Sequence, residues 1–453
     1  MATLEINKLE DTVIPLAADS KTQFIKKSIV VVFLLMIFDG ALRKWALPSL
    51  STPLLLLKDA VVVLVYAYAL YYRMWPSSTS AKIGYTLSIV FLLIIPFQVF
   101  LRDLPLFPVF YGWRNYFFLV PLIFIMQEYL EWKDIKHIAR LMCLIAIPSA
   151  ILVFIQYTSP PDAFINRSVG GESEQNIFYV VKDVVRPYGF FSFTNGHAHY
   201  SILALSLILF NFLLPYHERF LDKILSLIVL MAVLVNIVVS GSRTNFLEAG
   251  IVFVTLFLSG VYLFRTPVGF KITIATIVGG LLCAAFIMLF FSANIDQMQE
   301  RQEVAAQAEG AITNRMFKDY TVVFTGLPKN IPFLGYGLGM GTAYAWIAFG
   351  NTENVYLESE WLKVVFESGI FFGFFFLIYR IGLSLYVLGH AFKMLRFHHS
   401  PVLLLLLMSI FRTVIAGQMT FNNTTCYFGW LTIGLCLAIV KEFNHDNREQ
   451  QQI

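Results

Sequence analysis

Glu353, Glu358 and Glu360 fall within NTENVYLESEW, Asn351 to Trp361, at the end of a long polar interruption in a very apolar chain. Carboxylates placed there could be solvated charge, salt-bridge partners, or acid/base groups working at a membrane face. Arginines accompany them. Arg243 lies in VVSGSRTNF, where Ser240, Gly241 and Ser242 leave room for a guanidinium to meet a phosphate with two parallel hydrogen bonds. The competing reading is an arginine reaching back to lipid headgroups. Arg186 opens RPYGFFSFTNGHAHY, and Arg315 lies in NRMFKDY. Arginines around an anionic ligand, beside a carboxylate able to take a proton, outline an acid/base transfer site.

Other candidates carry less. His197 and His199 in NGHAHY sit on different faces of a helix, and no Glu or Cys completes a ligand set, so packing or hydrogen bonding is expected rather than a metal. The run GYGLGMG, Gly335 to Gly341, lacks a preceding strand and a following Lys-Ser/Thr, which argues against a nucleotide loop. Its glycines suit tight turns or close backbone approach. Glu360, Lys363 and Glu367 share one helix face, which predicts ion pairing inside that helix and leaves Glu358 facing water or sugar. Tyr344, Trp346, Tyr356 and Trp361 are either sugar-stacking groups or interface anchors.

The elements that must position these residues are membrane helices. The 453-residue chain is 58% hydrophobic and only 14% charged, against about a quarter charged in soluble proteins. Apolar runs near twenty residues predict an all-α polytopic bundle of about twelve spans, at 27–43, 53–72, 82–101, 109–128, 137–158, 190–214, 223–241, 244–264, 271–293, 369–390, 401–421 and 425–442. The whole chain reads as one integral-membrane domain. No removable signal peptide is expected, so the first span serves for insertion. Most Lys and Arg of the short loops fall on one side, with both termini, and that side is cytoplasmic. Arg43, Lys44 and Arg102 are the minority on the other. Two long segments then lie outside, 159–189 and 293–368, the second an organised helical cap of periplasmic loop. The four cysteines form neither a disulfide framework nor a zinc site. A net charge of +4 without a basic domain excludes nucleic acid as a partner. Ionisable residues at span ends or inside spans are Asp39, Lys58, Asp59, Arg114, Arg243, Glu248 and Arg412. For Asp39, Lys58 and Asp59 the expectation is ion pairing between helices.

The order RPYGFFSFTN, SGSRTNF, NRMFKDY, PFLGYGLG and TENVYLESEWLKVVFESG resembles the O-antigen ligase and O-antigen polymerase superfamily over about Arg186 to Gly373. That resemblance implies a metal-independent, cofactor-free glycosyltransferase at the outer face of the bacterial inner membrane. Its donor would be a glycan on undecaprenyl pyrophosphate and its acceptor a lipid core or a second glycan, among membrane lipids and other polysaccharide-assembly proteins. Arg243 and Arg315 match the arginines expected to hold the donor pyrophosphate, and Arg186 matches a recurring arginine before the sixth span. Where ligases carry a His-Asn pair, this chain has Glu353-Asn354, so a carboxylate replaces the imidazole as proposed base, which tilts the reading towards a polymerase. Two readings compete: a transporter or flippase for lipid-linked sugars or small anions, which would keep its charges at mid-membrane on broken helices, and a non-catalytic envelope scaffold.

Overall fold

An apolar run in lipid has one stable single-segment form, the helix, because there each backbone N–H and C=O finds a partner within the run. The computed structural model follows this rule; it describes residues 2–170, 185–309, 321–326, 331–341 and 359–452, and no strand occurs among them. The first half contains α1 (Ala2–Ala41), α2 (Ser51–Leu55), α3 (Leu57–Tyr71), α4 (Thr79–Arg102), α5 (Leu106–Phe117), α6 (Val120–Tyr129), α7 (Trp132–Thr158) and α8 (Thr194–Leu213). The second contains α9 (Lys223–Val239), α10 (Arg243–Tyr262), α11 (Pro267–Glu309), α12 (Glu360–Ser368), α13 (Ile370–His398), α14 (Val402–Met408), α15 (Phe411–Ala416) and α16 (Asn423–Gln452).

Among the described residues, nine helical stretches are long and apolar enough to cross a membrane. The other three expected spans take different forms. Residues 27–43 belong to the longer α1 and the turn after it, α9 is a shorter apolar helix, and 401–421 is divided between α14 and α15. Two helices form the axis: 89% of the most apolar stretch of α8, and of α16, is buried inside the protein. By contrast Leu93, Phe97, Phe100 and Leu101 of α4 are exposed. In water such a face would be a liability; in hydrocarbon it is the expected lipid contact.

Breaks inside lipid need their freed backbone groups satisfied from outside the helix. Between α5 and α6, the Tyr66 hydroxyl donates to the Phe118 carbonyl at 2.5 Å and accepts from the Leu122 N–H at 3.1 Å. At the end of α15, the Ile415 carbonyl accepts from Trp361 Nε1 at 2.7 Å and from Arg380 Nη2 at 3.1 Å. α11 bends at Phe291, whose backbone leaves helical geometry, and then continues to Glu309. This agrees with a polar helix following the ninth span.

The helices alternate, so the bundle has two ends. At one, Lys26 of α1 meets Glu131 at 2.5 Å and Asp134 at 2.8 Å at the start of α7, and Lys133 meets Glu131 at 2.8 Å. Hydrogen bonds from Lys133 and Lys26 hold the Glu131 carboxyl down to about 2. The other end carries the candidate site.

Candidate functional site

Gly40 near the end of α1 lets the backbone of 190–192 lie directly against that helix; a Cβ there would meet the Phe191 carbonyl carbon at 2.3 Å. Two cations follow Gly40. Arg43 donates from Nη1 to Ser192 Oγ at 3.0 Å and from Nε to the Ser51 carbonyl at 2.7 Å. Lys44 is buried, and its ammonium donates to the Gly189 carbonyl at 2.7 Å between the rings of Trp45 and Tyr188. No carboxylate among the described residues lies within salt-bridge distance of Lys44. Burial accordingly lowers its ammonium to about 7, against the opposing pull of Asp39.

On the other side of the same segment, Arg186 donates from Nε to the Ser240 carbonyl at 3.3 Å. Ser240 begins the small-residue turn that the sequence marks as roomy. Its hydroxyl accepts from the Ser242 N–H, and Ser242 caps α10, whose first residue is Arg243. The structure therefore brings Arg186 and the Arg243 turn together and adds Arg43 and Lys44 to them. These two were legible only as exceptions to the loop-charge bias. Arg315, Glu353, Asn354 and Glu358 lie outside the described residues.

His197 follows the packing expectation. Its Nε2 donates to the Asn236 carbonyl at 3.0 Å, which makes Nδ1 the acceptor nitrogen, and His199 lies beside the Phe428 ring. No group of three or more metal-ligating side chains occurs among the described residues. The glycine run is also structural. Gly335 takes a left-handed φ of +74°, and a Cβ there would strike the Glu367 carbonyl oxygen at 2.4 Å. The N–H groups of Tyr336 and Gly337 bond the Phe366 and Glu367 carbonyls at the end of α12. Gln98 of α4 ties the same run from below, donating to the Leu334 carbonyl at 2.5 Å and accepting from Leu338 N–H at 3.1 Å.

Asp39, Lys58 and Asp59 are ion-paired between helices, as expected. Lys58 binds Asp39, and Arg114 grips Asp59 with both sides of its guanidinium, Nε reaching Oδ2 at 2.9 Å. Tyr427 donates to Asp59 at 2.5 Å, and Arg114 continues to Asn115 at 2.7 Å and Asn423 at 2.8 Å. Arg412 meets Glu248 at 2.8 Å. Lys363 pairs with Glu367 at 3.0 Å within α12, as the spacing predicts. Glu360 is the correction. It faces α13 rather than Lys363, meeting Arg380 at 2.7 Å and accepting from the Thr420 N–H and hydroxyl at 3.0 and 3.1 Å. Arg380 was missed in the sequence, although a lone arginine within IFFGFFFLIYRIGL satisfies the same criterion as the others.

No protein-family model, curated protein or solved structure matches this chain.

Proposed function

We propose that the chain is a membrane glycosyltransferase that polymerises, or ligates, glycan units carried on undecaprenyl pyrophosphate at the outer face of the bacterial inner membrane. The observation that carries this reading is the meeting of Arg186 with the Ser240–Arg243 turn, flanked by Arg43 and buried Lys44. Guanidinium groups held by backbone and hydroxyl contacts are pre-oriented for a pyrophosphate, whose charge grows as it leaves. In the reaction, an acceptor hydroxyl oxygen bonds to the anomeric carbon as the bond from that carbon to the pyrophosphate oxygen breaks. The hydroxyl proton passes to Glu353, and the lipid pyrophosphate departs with the electron pair. Asn354 and Glu358 contact sugar, and Arg315 shares the pyrophosphate. The reading needs no metal or other cofactor. Arg243→Lys and Arg315→Lys keep charge but lose the fork, so each is expected to lower polymer formation at least tenfold at normal protein level. Full synthesis by both variants removes the arginines from the site.

Twelve spans with both termini cytoplasmic, and 293–368 outside, complete the reading. A cysteine introduced at Ser400 is then expected to resist a membrane-impermeant maleimide in intact cells and to react after permeabilisation. Labelling of Ser400→Cys from outside would overturn the orientation.

A transporter has one observation in its favour: the interrupted helices α5/α6 and α14/α15 lie beside buried Arg114 and Arg380. Those arginines are already closed onto Asp59 and Glu360, which suits cohesion better than an open transport site. Uptake of a labelled anion by proteoliposomes, abolished by Arg114→Gln, would favour transport.

A further inference from the structure

At the end opposite the arginine cluster, α8, α10, α11 and the turn between α13 and α14 enclose a groove of about 850 Å³. Its wall is mainly apolar, and Arg219, Lys271 and His399 are among the residues that line it. Arg219 is fixed there by donating to the Leu214 and Phe212 carbonyls at 3.2 Å each. Lys271 is exposed and makes no ion pair among the described residues. The nearby carboxylates are engaged elsewhere: Glu218 accepts from Trp132 Nε1 at 3.1 Å, and Asp222 caps α9.

The wall along α11 is small. Ala275, Gly279 and Cys283 recur every fourth residue, and a Cβ at Gly279 would meet no heavy atom within 4 Å. The most apolar stretch of α11 has none of its residues buried within the protein. Open space at Gly279 and Gly280, facing the apolar side chains of the neighbouring helices across the groove, leaves room for an acyl chain. Anionic headgroups are recognised by basic pockets between membrane helices, and ligand sites fall in this volume range.

We propose that this groove binds one anionic phospholipid, its headgroup phosphate between Arg219, Lys271 and His399 and an acyl chain along Ala275, Gly279 and Cys283. Charge complementarity selects the headgroup; the small-residue wall selects a lipid over a free phosphate. The site needs nothing from the transfer reaction and would stand if that reading fell.

Native mass spectrometry of the full-length protein, equilibrated with equal phosphatidylglycerol and phosphatidylcholine, reads the prediction directly. One phosphatidylglycerol should be retained in preference to phosphatidylcholine by about tenfold, since each basic group near a lipid surface favours anionic lipid several-fold. Lys271→Gln should cut that preference at least threefold. Gly279→Leu, which fills open space, should lose the bound lipid while keeping the melting temperature. Cys283 supplies a second readout, because the other three cysteines are buried. Its alkylation by a lipid-soluble maleimide should slow severalfold with phosphatidylglycerol and stay unchanged with inorganic phosphate. Equal retention of both lipids, or an unaltered preference in Lys271→Gln, overturns the headgroup site. Undiminished retention by Gly279→Leu, or protection of Cys283 by inorganic phosphate alone, overturns the acyl channel.

Discussion

Arg380→Met is expected to destabilise the protein by about 3–5 kcal/mol, the cost of leaving one buried partner of an ion pair uncompensated. Both side chains of the Arg380–Glu360 pair are fully buried. Removing the guanidinium leaves Glu360 with the Thr420 contacts among the described residues, and it also takes one of two donors from each of the Ile415 and Gly417 carbonyls, which keep Trp361 Nε1 and the Met419 N–H. Arg380→Lys should be intermediate, since a single ammonium cannot reach the carboxylate and both carbonyls at once. The decisive measurement is a double-mutant cycle with Glu360→Gln, following thermal unfolding in detergent. Glu360→Gln/Arg380→Met should be more stable than Arg380→Met alone, because the amide needs no counter-charge. An Arg380→Met protein that melts with the wild type would show that the pair contributes nothing.

Much of the polar interior was legible as a set of residues, and little of it as a set of pairs. Asp39, Lys58, Asp59 and Arg114 declare themselves by charge within apolar runs. Their partners do not, because Lys58 and Asp59 are sequence neighbours that turn to different helices, one to Asp39 of α1 and the other to Arg114 of α5. Local spacing decided correctly only where both partners share a helix, as for Lys363 and Glu367. It failed for Glu360, whose position in the first turn of α12 points it at α13. There the fully buried Arg380 offers a stronger donor than Lys363, whose ammonium also binds the Thr420 hydroxyl at 2.9 Å.

The same distinction explains the fold. Long apolar runs announce α4, α7, α10 and α13, because lipid leaves them no alternative. The division of 401–421 was hidden, since the groups that make it tolerable, Trp361 and Arg380, come from other helices. At the candidate site, the roomy turn before Arg243 and the arginine at 186 were readable from residue type. Lys44 was not: its importance lies in burial against Gly189 and two aromatic rings, which is a property of how 186–192 folds back onto α1.

Glu353→Gln is expected to lower polymer formation by about two orders of magnitude, within the usual effect of removing a general base. The glutamine keeps the shape and much of the hydrogen bonding but cannot take the acceptor's proton. Donor binding should survive, because the arginines proposed to hold the pyrophosphate are untouched. The segment's downstream anchor is firm: Glu360 is locked to Arg380 and Thr420, and Trp361 to the Ile415 carbonyl. Chain connectivity alone keeps residue 353 within about 25 Å of that anchor. An exposed glutamate is a weak base near neutral pH, so the proposal also requires partial desolvation at 353. Glu358→Gln should cost far less than Glu353→Gln, since Glu358 is assigned to sugar contact. Glu360→Gln should act through stability, lowering the melting temperature while the folded fraction retains turnover. Reconstituted membranes supplied with lipid-linked repeat units, with donor binding measured separately, keep these effects apart. Near-normal turnover by Glu353→Gln would defeat the base assignment, and a hundredfold loss in Glu358→Gln instead would move the base five residues along the same segment.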